Sequence, residues 1–181
     1  MEALGVRVVH RPFELHPEIP SDGRRVRVDG RMAPTFARVA AACDEVGLAF
    51  VAPTRVPNTR RALETAEWVR VHHEQAFDAV HAGLFAAHFA LGEAIDDPDV
   101  IDQIVTQSGA AAASVRAAVD AGDASHAVDE SMDAARAAGV SSTPAWVLGD
   151  GFVVPGALDR ATVDRWVRKL VARADSSSTS A

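Results

Sequence analysis

A long run of helix-forming sequence separates two parts of this chain that have the character of β-strands. From about residue 57 to 138, apolar residues recur at spacings of three and four, interrupted by residues that cap or end helices. Before this run, the β-branched segment Val6–Arg11 predicts a strand. After it, Thr143–Leu148 and Phe152–Val154 flank a glycine-rich turn and predict a hairpin, which a helix capped by Asp159 follows. This order predicts an α/β fold with a large helical insertion.

Proline, glycine and capping residues predict where the individual helices begin and end. The long helical region from Pro57 to about Leu91 is expected to break near His72–Glu74. Its second half carries apolar residues around much of its circumference, so we expect a central helix that is covered on several sides. Asp97 and Pro98 suit the start of the next helix. Further segments are assigned as follows: a helix from Ala33 to Val46, helices at about 111–121 and 125–138, a connector or short edge strand at Arg24–Arg31, an extended piece at Leu48–Pro53, and disorder in the tail from Asp175 to Ala181.

Composition limits the classes of function that are open to the chain. It has 181 residues, a formal net charge of −7 and 48% hydrophobic residues. A negative charge argues against binding to nucleic acid or to an anionic membrane surface. No apolar run approaches the roughly 18 residues of a membrane span. The N-terminal residues resemble no signal peptide. The one cysteine, Cys43, excludes a disulfide within the chain, and we expect a cytoplasmic protein.

The segment Gly139–Val147 is the first candidate for a functional site. A helix ends at Gly139, a short loop follows, and Thr143-Pro144 leads directly into a strand. A cis peptide bond costs only about 0.5–1 kcal/mol relative to trans before proline. It would turn the backbone of Thr143 outward, where an extended ligand could pair with its N–H and C=O. An ordinary trans proline that starts a strand is the alternative, and the local sequence leaves both open.

Four other features of the sequence are candidates for sites, and each also has a structural explanation. His73, His81 and His88 share a helical face, but spacings of eight and seven place successive rings about 10 Å apart, too far for one metal ion. The acidic run Asp96–Asp99 is explained by helix capping. Cys43 is expected to be a buried structural thiol. Asn58, which opens the long helical region between Pro57 and Thr59, is either an N-cap or a ligand contact.

Several segments taken in order resemble the DsbA-like thioredoxin-fold proteins of the FrnE type. Relatives of that type include 2-hydroxychromene-2-carboxylate isomerase and kappa-class glutathione transferase. The resemblance rests on five segments: Val9–Leu15, Pro57-Asn58-Thr59, Leu84–Ile95, Asp97–Val100, and Gly139–Val147 with Val154–Ala157.

This resemblance implies a fold and a division into domains. It implies a thioredoxin-like sheet with an inserted helical domain, and a cis Pro144. The expected domains are residues 1–57 with 139–174 for the thioredoxin-like part, 58–138 for the helical domain and 175–181 for a disordered tail.

The chain departs from the family pattern at its beginning. The family starts with a strand followed by C-x-x-C, or a serine variant, at the first helix, where the helix N-terminus lowers the thiol pKa. Here Val6–His10 corresponds to the second strand of the family, no cysteine precedes it, and Cys43 lies in a different element. We therefore expect a sheet without its first strand. Val6–His10 could move into the gap, or another chain could supply the missing strand. The expectation we favour is that the natural protein is longer and itself contains that strand.

The resemblance implies a thiol–disulfide oxidoreductase-like protein, truncated or redox-inactive as given, with no catalytic residue and no metal. A non-catalytic binding or dimerisation module and a glutathione-dependent isomerase or transferase are the alternatives. Thr143, Pro144 and Asn58 are the expected substrate-binding residues. The expected partner is an extended peptide or a small thiol compound, and we expect no binding to nucleic acid or membranes. No cofactor is expected, with glutathione as the possible exception. A homodimer is compatible with the fold.

Overall fold

Helices dominate the architecture, and the strands form two separate two-stranded sheets. The computed structural model describes residues 6–26, 32–148 and 151–178. Within these residues the elements are, in chain order, β1 (Arg24–Arg25), α1 (Ala33–Glu45), β2 (Arg55–Val56), α2 (Arg60–His72), α3 (Glu74–Phe89), α4 (Pro98–Gln107), α5 (Ala112–Asp120), α6 (Ser125–Ala137), β3 (Ala145–Val147), β4 (Val153–Pro155) and α7 (Arg160–Ser178). Antiparallel pairing joins β1 to β2 and β3 to β4. The expected α/β thioredoxin-like class with a helical insertion is confirmed, in a form richer in helix than in sheet.

The helix boundaries lie close to those that the capping residues predict. The break in the long helical region falls at His73, between α2 and α3. The side chain of Asp97 accepts a hydrogen bond from the N–H of Asp99 at 2.9 Å, and Pro98 occupies the first helical position. Asp159 accepts from the N–H of Thr162 at 2.8 Å at the start of α7. Each cap satisfies an N–H that the helix itself leaves without a partner.

The chain divides into two compact units, one of them Pro12–Asp133 and the other Met1–Arg11 together with Ala134–Ala181. In the larger unit α2 packs against α3, α4 and α5, and α4 packs against both α3 and α5. Gly83 on α3 allows a close approach to α4, because a Cβ built there would lie 2.6 Å from Cγ2 of Ile104. The buried core residues are Ala62, Val69, Ala76, Val80, Leu84, Ala87, Ile95, Ile101, Ile104, Val105, Val115 and Val119.

A partly buried network of charged groups accompanies this core. Arg60 on α2 donates to Glu64 at 2.6 Å and to Asp129 on α6 at 2.6 Å, and it also binds the backbone carbonyl of Ser125. Its guanidinium lies 3.9 Å from the carboxylate of Glu14, which is buried. Removing one partner of a buried ion pair leaves an uncompensated charge. Arg60 therefore holds the segment that begins at Pro12 against α2 and α6.

The predicted strand at Val6–Arg11 is wrong. Residues 6–11 form no ladder with any other described segment, and the side chains of Val8 and Val9 are 40% and 46% exposed. β-Branched residues favour a pleated strand only where a hydrogen-bonded partner and packing are available. Of the expected connector or edge strand at Arg24–Arg31, residues 24 and 25 form β1, residue 26 follows it, and residues 27–31 lie outside the described residues.

The expectation that α3 is covered on several sides is also wrong. Ala76, Val80, Leu84 and Ala87 are buried, which places one face of α3 in the core. On another face, Phe85 is 55% exposed and its ring lies 6.0 Å from that of Phe89. The spacing of apolar residues shows which helix faces are apolar, but it does not show how many neighbouring helices cover them.

In the smaller unit, α7 follows the β3–β4 ribbon and continues to Ser178. Helix α7 thus includes residues 175–178, for which we expected disorder. Once a helix has formed, each added residue contributes one further hydrogen bond, which favours its extension. The other expected domain boundaries stay a prediction, although residues 12–57 belong to the same compact unit as α2 to α5. None of the described helices has the length and apolar character to cross a membrane.

Replacing Asp97 by alanine tests the capping assignment. We expect the free energy of unfolding to fall by about 1 kcal/mol, since the N–H of Asp99 loses its acceptor. For a chain of this size that corresponds to a Tm lower by about 2–4 °C. Asp97→Ser keeps an acceptor and is the control; an equal loss of stability in both variants in thermal unfolding would contradict the assignment.

Candidate functional site

The hydrogen-bond register of the β3–β4 ribbon determines which backbone groups are available at its edges. Trp146 lies opposite Val154, Ala145 opposite Pro155, and Val147 opposite Val153. At the two ends of the ladder, Gly156 N–H donates to the carbonyl of Pro144 at 2.8 Å, and Leu148 N–H donates to the carbonyl of Phe152 at 3.0 Å. In an antiparallel ladder, hydrogen-bonded and non-hydrogen-bonded pairs alternate. The N–H and C=O groups of Ala145 and Val147 therefore point away from β4.

Thr143 and Pro144 lie at the entrance to β3. Both residues are exposed, and the peptide bond between them is cis. Within residues 6–26, 32–148 and 151–178, no hydrogen bond involves the N–H or C=O of Thr143. One N–H donor and one C=O acceptor are thus open to solvent beside the ribbon, and an extended peptide backbone can bind both.

The two faces of the ribbon differ in burial. Val154 is buried and its partner Trp146 is half-buried, whereas Val147 is 55% exposed. The indole N–H of Trp146 is buried and has no hydrogen-bond partner in the described part of the chain. The face that carries Trp146 is therefore apolar, and the face that carries Val147 is open to solvent.

Asn58, the third expected site residue, belongs to the larger unit and has structural partners there. Its side-chain oxygen accepts from the N–H of Arg60 at 3.0 Å, which is a cap for α2, and its amide nitrogen donates to the carbonyl of Ile19 at 2.7 Å. Its backbone N–H donates to the carboxylate of Asp96 at 3.3 Å. These bonds give Asn58 a structural role beside Thr59, the N-cap residue of α2, and leave one amide hydrogen of Asn58 for any further contact.

Asp96 and Arg55 form an ion pair that the sequence did not indicate. Arg55 donates from two nitrogens to the two carboxylate oxygens of Asp96, one of these bonds at 2.8 Å, and the Asp96 side chain is 6% exposed. Hydrogen bonding to Asp96 raises the pKa of Arg55, so its guanidinium stays charged. The acidic run Asp96–Asp99 thus has two roles, since Asp97 caps α4 while Asp96 holds Arg55 and Asn58.

The histidines of α3 and Cys43 lie at positions with structural contacts. Within the described residues, no group of three histidine, cysteine or acidic side chains could hold a metal ion. Cys43 on α1 is half-buried rather than buried, and α1 contains no fully buried residue. The histidine face of α3 instead contributes to aromatic packing, with His81 between the rings of Phe77 and Phe85 at 5.5 and 5.0 Å.

Asn58→Ala should lower the free energy of unfolding by about 1–3 kcal/mol, because it removes a helix cap and leaves the carbonyl of buried Ile19 without a donor. Asn58→Ser is the matched control, since it retains an acceptor for the cap, and it should recover part of this loss. Chemical denaturation measures both variants. Unchanged stability in Asn58→Ala would show that these bonds contribute little and would favour a role in ligand contact.

His88 should make the stability of the protein depend on pH. Burial lowers the pKa of His88 below its usual value of 6.5, because the charged ring is less hydrated in the folded state. The unfolded state then binds a proton first as the pH falls, so stability is complete above about pH 6.5 and decreases below it. In urea titrations between pH 7 and 5, His88→Gln should show a smaller decrease than the natural protein. His126→Gln is the control, since its side chain is 84% exposed; an equal effect of both substitutions would contradict the assignment.

Comparison with known proteins identifies the family of the chain. A family model for the DSBA-like thioredoxin domain matches residues 2–166. Among solved structures, a probable DsbA oxidoreductase from Streptomyces coelicolor is similar in fold, with a TM-score of 0.82 and 20% sequence identity over 91% of this chain and 75% of that one. No match was found among curated proteins. These findings confirm the resemblance to DsbA-like thioredoxin domains, and the chain belongs to that family.

Proposed function

We propose that this chain is a binding domain of the thiol–disulfide oxidoreductase family that takes an extended, cysteine-containing peptide at Thr143 and Pro144. Family membership supports a thiol substrate. The observation that carries the proposal is the exposed backbone of Thr143, whose N–H and C=O have no partner among the described residues. Backbone pairing of this kind binds a peptide through its main chain and tolerates different side chains.

We also propose that these 181 residues do not carry out dithiol–disulfide exchange by themselves. Such exchange within one chain needs two cysteines, and Cys43 is the only one in the sequence. Cys43 lies near the C-terminal end of α1 and is followed by Asp44 and Glu45. Reactive cysteines typically lie at helix N-termini, whereas Cys43 lies near the other end of its helix.

Four finer features belong to the same proposal. Glutathione is a small ligand of the proposed class, since it combines a cysteinyl thiol with a peptide backbone. The segments from Val9 to Leu15 and from Pro57 to Thr59 support placement with the FrnE type. The single cysteine supports a cytoplasmic location, where disulfides are rare. A homodimer is an expectation that sedimentation measurements can check.

Titration of the protein with glutathione, followed by amide NMR, tests the binding site. We expect saturable shifts centred on the amide of Thr143, because its N–H gains an acceptor. Thr143→Val retains both backbone groups and should bind within about twofold of the natural protein. Thr143→Pro removes the N–H and should weaken binding at least about tenfold, which is the loss of roughly one hydrogen bond. Shifts that centre elsewhere in the protein would contradict the proposed site, whether or not Thr143→Pro folds.

Reduction of insulin in the presence of dithiothreitol tests the redox part of the proposal. The protein should give no rate above that of dithiothreitol alone, and Cys43→Ser should behave identically. Turnover that Cys43→Ser abolishes would contradict the assignment of Cys43 as a thiol without a role in exchange.

A further inference from the structure

Helix α1 in the larger unit has little packing within its own chain. It has 13 residues and none of them is fully buried, and among the described residues no helix or strand packs extensively against it. On one side of the helix, the ring of Phe36 lies 6.3 Å from that of Phe50. A helix of this length is only marginally stable in water by itself, and most helices are stabilised by packing an apolar face. A partner that covers the rest of α1 would therefore stabilise it.

A row of exposed residues along α1 has the spacing of a seam between two packed helices. Thr35, Val39 and Ala42 lie in the helix and Val46 is its C-cap, at intervals of four, three and four residues. All four are exposed, Val39 by 37% and Val46 by 69%. Intervals of three and four residues are those of the positions that meet in coiled coils. Small and β-branched side chains at such positions allow two helix axes to approach to about 8–10 Å.

Two charged residues border this row, and their spacing determines which partner suits it. Arg38 and Glu45 are seven residues apart, which is about two helical turns, so both lie on the same side of the row. Both are exposed, and no ion pair joins either of them to another described residue. They are thus one positive and one negative group, placed symmetrically about the middle of the seam.

This arrangement is complementary to itself when two copies of the helix run in opposite directions. In a two-fold symmetric antiparallel pair, Arg38 of one copy lies beside Glu45 of the other, and symmetry repeats the same pair at the other end. In a parallel pair, the same two positions would lie beside the side of the second helix that carries Phe36 and Cys43, which have no charge. Charge therefore favours a second copy of this chain in the antiparallel orientation.

We infer that α1 is a homodimer interface, in which two copies of α1 pack antiparallel through Val39, Ala42 and Val46 and form two ion pairs between Arg38 and Glu45. The inference goes beyond the proposed function, because α1 belongs to the larger unit and Thr143 to the smaller one. A helix of 13 residues is about 20 Å long. A contact of this length buries less than the roughly 1,600 Å² of a standard interface, so the dimer is weak and forms only as the protein concentration rises.

Exchange of the two charges tests the orientation. In sedimentation velocity, the 181-residue protein should change from monomer at about 5 µM to dimer at about 500 µM. Arg38→Glu places two negative charges beside each other at both ends and should weaken the dimer at least about tenfold. The double variant Arg38→Glu with Glu45→Arg restores both pairs and should dimerise within about threefold of the natural protein. Both side chains are exposed, so neither replacement disturbs the core.

Disulfide formation tests the position of the two-fold axis. In a Cys43→Ser background, Ala42→Cys should form a disulfide between two copies on air oxidation, since near the axis the two Cα atoms lie within about 7 Å of each other. Ala37→Cys in the same background is the matched control. Ala37 is also exposed but lies on the opposite side of α1, and its cross-linking should be at least about tenfold slower.

Three results would overturn the inference: a monomer at every concentration, a double charge variant that dimerises no better than Arg38→Glu, and equal cross-linking through residues 37 and 42. Protection of the α1 amides from hydrogen exchange in a monomer would also overturn it, because another segment of the same chain would then cover the helix. Glutathione binding at Thr143 should be unchanged in Arg38→Glu, so the proposed function and the dimer are tested separately.

Discussion

The alternation of hydrogen-bonded pairs along β3 and β4 is the constraint on which the account of the site depends. Because Pro144, Trp146 and Leu148 direct their backbone groups towards β4, the residues between them direct theirs outward. Thr143 lies in a bend beyond the end of the ladder, and its N–H and C=O have no hydrogen-bond partner among the described residues. The same alternation places the nitrogen of Pro155 on the outer edge of β4. Because proline has no N–H, this edge is poorly suited to pairing with another strand. The binding that we propose for the smaller unit thus uses main-chain groups and needs no reactive side chain.

In the larger unit, polar side chains serve the fold. Arg60 links Glu64, Asp129 and the buried carboxylate of Glu14, and Arg55 holds Asp96 beside Asn58. The carboxylates of Glu14, Glu64 and Asp96 are largely buried and each lies beside an arginine, so replacing that arginine would leave a buried charge without its partner. The hydrogen bonds of Asn58 belong to this network, and they explain its presence at the start of α2 without a ligand.

Sequence reasoning located the helices, the ribbon and the Thr143-Pro144 segment, because caps, prolines and apolar periodicity are local signals. It failed where the outcome depends on partners distant in the chain. Val6–Arg11 has the composition of a strand but pairs with no other described segment. Phe85 is a large apolar residue of the kind found in cores, but it is exposed. The pair of Arg55 and Asp96, 41 residues apart, had no signal at all in one sequence. Helix capping accounts for Asp97, but it does not account for the neighbouring Asp96, which binds Arg55.

Membership in the DsbA-like thioredoxin family and the main-chain geometry of β3 and β4 underlie the proposed binding site. Amide hydrogen exchange of the free protein examines the underlying geometry most directly. The amides of Trp146 and Leu148 should be protected by their bonds to β4, while those of Thr143, Ala145 and Val147 should exchange at rates close to those of an unstructured peptide. Protection of Ala145 and Val147 equal to that of Trp146 would mean that the edge is already occupied, and would contradict the account.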